Sequence, residues 1–187
     1  MRMTPFVIAL YLMPFVAHTQ SEPAAQAAPI RKSPVEVTRV TEPAKALRFE
    51  VVVAAKPADV WQAFTTGAGL NTWLWQDCTV DLREGGGWIV HYPGGKTGGG
   101  TIVSFRDGRQ LVLHAMAPER FPEVRSVGTT AVFDLAPQGE RTRVTLTQTG
   151  WRQGKEWDDA YEYLASGNAQ LLEQLYVRFA RGPIKWQ

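Results

Sequence analysis

Four carboxylates, Glu156, Asp158, Asp159 and Glu162, crowd one short stretch of the chain. General acid or base work would need one of them buried with a raised pKa. They stand instead at the start of a long helix-periodic segment, where the positive end of the helix dipole by itself favours acids. His91 and His114 lie on separate strand-like segments, and Asp77, Cys78 or Asp81 could join them around a metal. A metal centre needs three or four converging ligands, and no paired short spacing supplies them, so no metal site is expected. A Cys78–His nucleophilic pair is the remaining alternative. Cys78 shares strand parity with Val80 and Leu82, however, and reads as a buried thiol. Gly94–Gly100 (GGKTGGG) suggests a phosphate loop, but the Walker spacing puts Val90 where a glycine is required, and a strand rather than a helix follows. A flexible hairpin is expected there. Gly85-Gly86-Gly87 lacks the third glycine of a dinucleotide fingerprint. No catalytic residue and no cofactor are assigned.

Recognition chemistry is better represented. Trp73, Trp75, Trp151, Trp157 and Tyr161 fall at helix starts and strand ends. Each is either ordinary core or part of an apolar mouth with polar tips. Asn168 lies near the middle of an apolar helical stripe, between Leu164 and Leu171. An unpaired buried amide costs about 1–3 kcal/mol, so Asn168 requires a partner. The alternatives are a strand carbonyl, the Gln148 side chain, or water or ligand in a cavity. Gln148 is in phase with Val144 and Leu146 and points the same way. The candidate ligand-binding set is therefore Trp73, Trp75, Gln148, Trp151, Trp157, Tyr161, Leu164 and Asn168.

The elements that must position these residues follow from periodicity. Leu47–Ala55 is a valine-rich strand, and Pro57 with Asp59 suits a helix start. Val60, Trp61, Phe64 and Leu70 space the next segment as two short helices broken at Gly67 and Gly69. From Trp75 the period becomes two. Strands are expected at Cys78–Leu82, Trp88–Tyr92, Thr101–Phe105, Leu111–Met116, Thr129–Leu135 and Val144–Thr149, most separated by glycine turns and thus an antiparallel meander. From Glu156 to Arg181, Trp157, Tyr161, Leu164, Leu171, Leu172, Leu175 and Phe179 share one helical face, and Gly182-Pro183 ends the helix. Such a helix has to lie against the sheet, and a bent sheet wrapped on it leaves space between them.

Lys56–Leu74 (KPADVWQAFTTGAGLNTWL) with Asp81–Trp88 (DLREGGGW) resembles the start of the START-like, or SRPBCC, superfamily. Thr145–Leu175 (TLTQTGWRQGKEWDDAYEYLASGNAQLLEQL), followed by Arg178–Pro183 (RFARGP), is similar to the branch named after the activator of the heat-shock-protein-90 ATPase. The resemblance covers roughly residues 46–183. It implies an α+β helix-grip fold, with a curved antiparallel sheet of about six to seven strands wrapped on a long C-terminal helix. It also offers two functional alternatives: a protein-interaction module that regulates a chaperone, or a cyclase- or hydrolase-like enzyme acting on small rings.

Residues 1–27 read as an export signal. Arg2 precedes the apolar run Phe6–Val16, and small residues follow, with cleavage after Thr19 or Ala27. That run is too short to span a bilayer, which takes ~20 residues, and Pro14 interrupts it. Residues 28–45 are proline- and alanine-rich and read as a flexible linker, in which Val35, Val37 and Val40 could at most form a short edge strand. Six of 12 prolines lie in the first 43 residues and all seven tryptophans after residue 60, so the folded domain is shorter than the chain of 187. The whole chain's net charge of +2, spread without blocks, argues against a nucleic-acid partner, and one cysteine excludes a disulfide framework within the chain. The expectation is a secreted or periplasmic, non-enzymatic domain. It would hold a small hydrophobic or amphipathic ligand between sheet and helix, with no transmembrane helix in the mature form. An exported N-terminus argues against the cytosolic chaperone role.

Overall fold

A computed structural model of the chain describes residues 33–186. The export signal expected at 1–27 and the first residues of the expected linker lie outside the described residues.

Valine-rich alternation builds β2 (Ala46–Val53), which pairs with β1 (Glu36–Val40) as an antiparallel hairpin. Helices α1 (Pro57–Thr65) and α2 (Gly67–Leu70) then carry the chain across one sheet face to its far edge. Pro57 opens α1, and the Thr66 side chain caps α2 by accepting from the Gly69 N–H. From there β3 (Cys78–Val80), β4 (Gly87–Tyr92), β5 (Lys96–Arg106) and β6 (Gln110–Ala115) meander back. They are followed by α3 (Pro122–Val127), β7 (Thr129–Gln138), β8 (Arg141–Thr149) and the long α4 (Lys155–Arg181). Among the described residues the sheet has eight strands in the order β1-β2-β8-β7-β6-β5-β4-β3, antiparallel throughout. This is the α+β arrangement of a curved sheet holding one long helix.

Three local readings of the sequence change. Residues 36–40, placed within the linker, form β1. Their side chains are largely exposed, so they show little hydrophobic signal, and the strand is held by pairing to β2 and by the Arg39–Glu162 ion pair at 2.7 Å. The second half of GGKTGGG is no flexible hairpin either. After a tight turn at Pro93–Gly95 the glycines run inside β5, because a Cβ at Gly99 would overlap the Trp88 carbonyl and one at Gly100 the His114 carbonyl. Gly99 also has φ +102°, which a side chain would strain. Beyond it, Val103 is an extra residue between Ile102 and Ser104, a bulge that bends β5. Third, α3 stands where no element was expected, too short to show periodicity.

The core joins the inward faces of the strands to both layers of helix. Leu47, Phe49, Val51 and Val53 of β2 meet Leu172 and Leu175 of α4, while Phe64 and Trp73 lie against Phe133 and Trp88. A smaller cluster of Ala117, Phe121, Val124, Trp157 and Ala160 joins α3 to the first turns of α4.

Candidate ligand-binding groove

Helix α4 packs over β1 and β2, and α1 over β7 and β8. Between them part of the inward face of β4 to β8 stays uncovered opposite the middle of α4, and there a groove of about 490 Å³ opens between sheet and helix. That volume falls in the ~300–1,000 Å³ range of small-molecule sites. Its floor is Trp88 and Val90 of β4, Gly98 and Gly99 of β5, Leu113 and Ala115 of β6, Ala131 and Phe133 of β7, and Leu146 and Gln148 of β8. Its roof is one side of α4: Tyr163, Leu164, Gly167, Asn168 and Leu171. Residues Tyr92, Lys96, Glu119 and Arg120 form an exposed rim.

Small residues make the room. Ala115 and Ala131 spare the floor. Gly167 spares the roof, since a Cβ built there meets no atom within 4 Å. A glycine inside a helix costs about 0.5–1 kcal/mol relative to alanine, so the groove is kept open at some expense of helix stability.

The polar content is one short chain of hydrogen bonds. The Asn168 Nδ2 donates to the Gln148 Oε1 at 2.7 Å, and the Gln148 Nε2 donates to the Thr129 Oγ1 at 2.8 Å. Gln148 is only 4% exposed, and both ends of its amide are used. Among the described residues the Asn168 Oδ1 has no protein partner, which leaves an acceptor at the groove lining.

The expected site residues separate into two groups. Gln148, Leu164 and Asn168 line the groove. The aromatics lie elsewhere, and Trp73, Trp151, Trp157 and Tyr161 each have their polar tip bonded to protein. Trp73 is fully buried and donates to the Ala63 carbonyl at 2.9 Å. Trp157, also fully buried, belongs to the α3–α4 cluster and donates to the Glu123 Oε1 at 2.8 Å. Tyr161 donates to the Ala46 carbonyl at 3.0 Å, and Trp151 packs edge-on against it while donating to the Gln148 carbonyl at 3.1 Å. Trp75 sits between Tyr92 and Trp186, next to the rim. Sequence reasoning did not reach Tyr92, Lys96, Arg120, Tyr163 or Gly167. Of these only Gly167 carries a signal, a glycine one residue before the anomalous Asn168 in an otherwise strong helix.

The titratable groups hold structure together. Lys45 bonds Asp158 and Lys155 bonds Asp159, while the Glu156 Oε1 accepts from the Val124 N–H at 3.0 Å and so caps α3. The hydrogen bond from Arg39 holds the Glu162 carboxyl below its ordinary pKa. Burial, with the Asp77 charge second, pushes the Cys78 thiol up to about 11. The Thr79 hydroxyl meets the His91 ring at 2.9 Å, on the exposed side. Among the described residues no group of three His, Cys, Asp or Glu side chains is placed to hold a metal ion, and no helix is long and apolar enough to cross a membrane.

Residues 54–180 match the family described as Activator of Hsp90 ATPase homolog 1-like protein. None of the curated proteins matches the chain. Among solved structures, the fold is similar to the Aha1 dimer of Colwellia psychrerythraea at 20% identity and a TM-score of 0.62, covering 73% of this chain and 97% of that one. It is similar to MLL2253 of Mesorhizobium loti at 18% identity and 0.62, covering 74% and 99%. CalU16 of Micromonospora echinospora follows at 21% identity and 0.58, covering 81% and 86%. At such identities the likeness is one of fold.

Proposed function

The chain belongs to the activator of Hsp90 ATPase homolog 1-like family, and from that premise we propose that it is a binding module holding a small apolar or amphipathic molecule between sheet and α4. The observation that carries this reading is the groove itself: apolar walls, a volume of about 490 Å³, and a helix glycine that leaves its roof open. Burying ~250 Å² of apolar ligand surface there would supply about 6 kcal/mol before the costs of association. Asn168, held in place by Gln148, would then orient the ligand rather than supply most of its affinity. Binding is preferred to catalysis because the lining brings one carboxylate, Glu119, and that one stands at the rim beside Lys96.

Native mass spectrometry of the purified protein, with tryptophan fluorescence against a panel of lipids and aromatic compounds, tests the reading. Trp88 lies in the groove floor and should report occupancy. A bound small molecule, or quenching that disappears in Gly167→Phe while the circular dichroism spectrum stays native, is the expected result. If nothing co-purifies and no compound changes the fluorescence, the reading fails.

Export of the module is part of the same proposal and rests on Arg2, the apolar run Phe6–Val16 and the small residues after it. A fusion of residues 1–30 to a reporter active only after export should be active; a silent fusion returns the domain to the cytosol.

A further inference from the structure

The charges around the rim are unevenly matched. Lys96 Nζ lies 3.8 Å from the Glu119 carboxylate, a loose and exposed pair. Arg120, next in sequence, pairs with no carboxylate among the described residues. Its guanidinium carbon stands 5.0 Å from the ring centroids of both Phe121 and Tyr163. Tyr163 is also part of the roof, so Arg120 is fixed at the groove entrance by the ring that frames it. Within the groove lining there are thus two cations to one anion, and the carboxylates on the far side of Tyr163 are engaged elsewhere: Glu162 by Arg39, Asp158 by Lys45, Asp159 by Lys155 and Glu156 by the Val124 N–H. Inside, the lining is mostly apolar, and Asn168 has one amide hydrogen committed to Gln148 and an Oδ1 with no protein partner among the described residues, so an anion drawn in there would give up its water for little in return.

Resting on the binding role proposed above, we infer that the groove takes an amphiphile bearing a carboxylate. The headgroup sits at Arg120 and Lys96, and the apolar body runs beneath Gly167 over Val90, Leu113 and Phe133. This orientation gives the anion two donors at the water boundary, where ionic attraction needs no full desolvation. It puts hydrocarbon against hydrocarbon in the interior. A cationic amphiphile meets like charge at the same entrance, and an uncharged one gains only the apolar term.

The test uses the purified full-length protein loaded with N-phenyl-1-naphthylamine, an uncharged apolar fluorophore, and three displacing ligands with the same ten-carbon tail. Decanoate should displace it at roughly three- to tenfold lower concentration than 1-decanol in low salt, with decylammonium the weakest, as an exposed pair of charges would give. The decanoate-to-decanol ratio should fall towards one in high salt. It should fall similarly in the Arg120→Gln/Lys96→Gln double variant and rise in Glu119→Gln. Reading a ratio within each variant makes the result independent of any change in overall affinity. Failure of the fluorophore to bind overturns the binding role itself. Binding with equal displacement by decanoate and decanol, or with a preference for decylammonium, leaves that role standing and overturns the anionic headgroup. An undiminished ratio in the double variant does the same.

Discussion

Asn168, Gln148 and Thr129 are three polar side chains on three elements whose hydrogen bonds depend on one another. Removing the first leaves the buried Gln148 Oε1 without its donor, 2.7 Å away in the native protein. An unsatisfied buried acceptor costs about 1–3 kcal/mol, whereas removing both partners together costs less. Asn168→Leu should therefore lower the unfolding free energy by about 1–3 kcal/mol in urea titrations. The Asn168→Leu/Gln148→Leu double variant should lose less than the sum of the two single changes. Strict additivity would show that the two amides do not act as a unit. Cys78 makes a second point at this scale. It is 6% exposed, with its Sγ 3.4 Å from the Trp75 carbonyl, and its pKa of about 11 reflects burial first and the Asp77 charge second. Relative to the ordinary value of 9.0, it holds about a hundredfold less thiolate at pH 8. Alkylation by iodoacetamide should be slower by at least that factor in the native protein and become normal in denaturant. Because the folded state favours the protonated thiol, its contribution to stability is complete below pH 9 and declines as the pH rises towards 11.

The glycines of β5 and the acids of α3 and α4 act through whole elements. Gly99 allows β5 to pass close to β4 with a positive φ, and β5 carries part of the groove floor. Gly99→Ala combines backbone strain with an overlap on the Trp88 carbonyl. A loss of about 2–4 kcal/mol is expected, read as a lower urea midpoint, with the groove wall displaced. An unchanged midpoint would mean that β5 can relax around a side chain. The α3–α4 junction is tied in both directions: Glu123 accepts from the Trp157 indole and Glu156 accepts from the first turn of α3. This explains why Trp157, whose position at a helix start suggested a binding mouth, is fully buried instead. A short helix with no detectable period of its own supplies the surface that covers it.

For the molecule as a whole, the topology decides where a ligand can lie. A single long helix spans only part of an eight-stranded sheet, and the crossing segment of α1 and α2 covers another part. The groove is the remaining gap. The β1 strand closes the sheet on the opposite edge, tied to α4 through Arg39–Glu162. A chain beginning at residue 46, the boundary read from sequence, would expose the β2 edge with its buried Leu47 and Phe49. We expect it to melt at a lower temperature and to self-associate in sedimentation velocity, as an unpaired hydrophobic edge does. A chain beginning at residue 33 should remain monodisperse under the same conditions. If both behave alike, β1 contributes nothing beyond its own hydrogen bonds.

The α+β class and the order of the β2–β8 strands and the α4 helix could be read from local patterns, because period-two strands, turn glycines and the 3.6-residue stripe of α4 are set by neighbouring residues. The sequence also marked Asn168 and Gln148, since a polar side chain inside an apolar stripe must find a partner whatever the fold. It offered the exposed β1 only as an edge strand within a linker, and it did not reveal the short α3 or the reason for the β5 glycines, where pairing and close backbone approach, not hydrophobic period, are decisive. Nor did it show which aromatics would be core and which would frame an opening. Trp73, Trp157 and Tyr161 have the same residue-level chemistry as Tyr92 and Tyr163 yet fall on opposite sides of that division. That division comes from packing over long range: a groove is volume left between elements far apart in the chain, set by how the sheet bends and how much of it one helix covers.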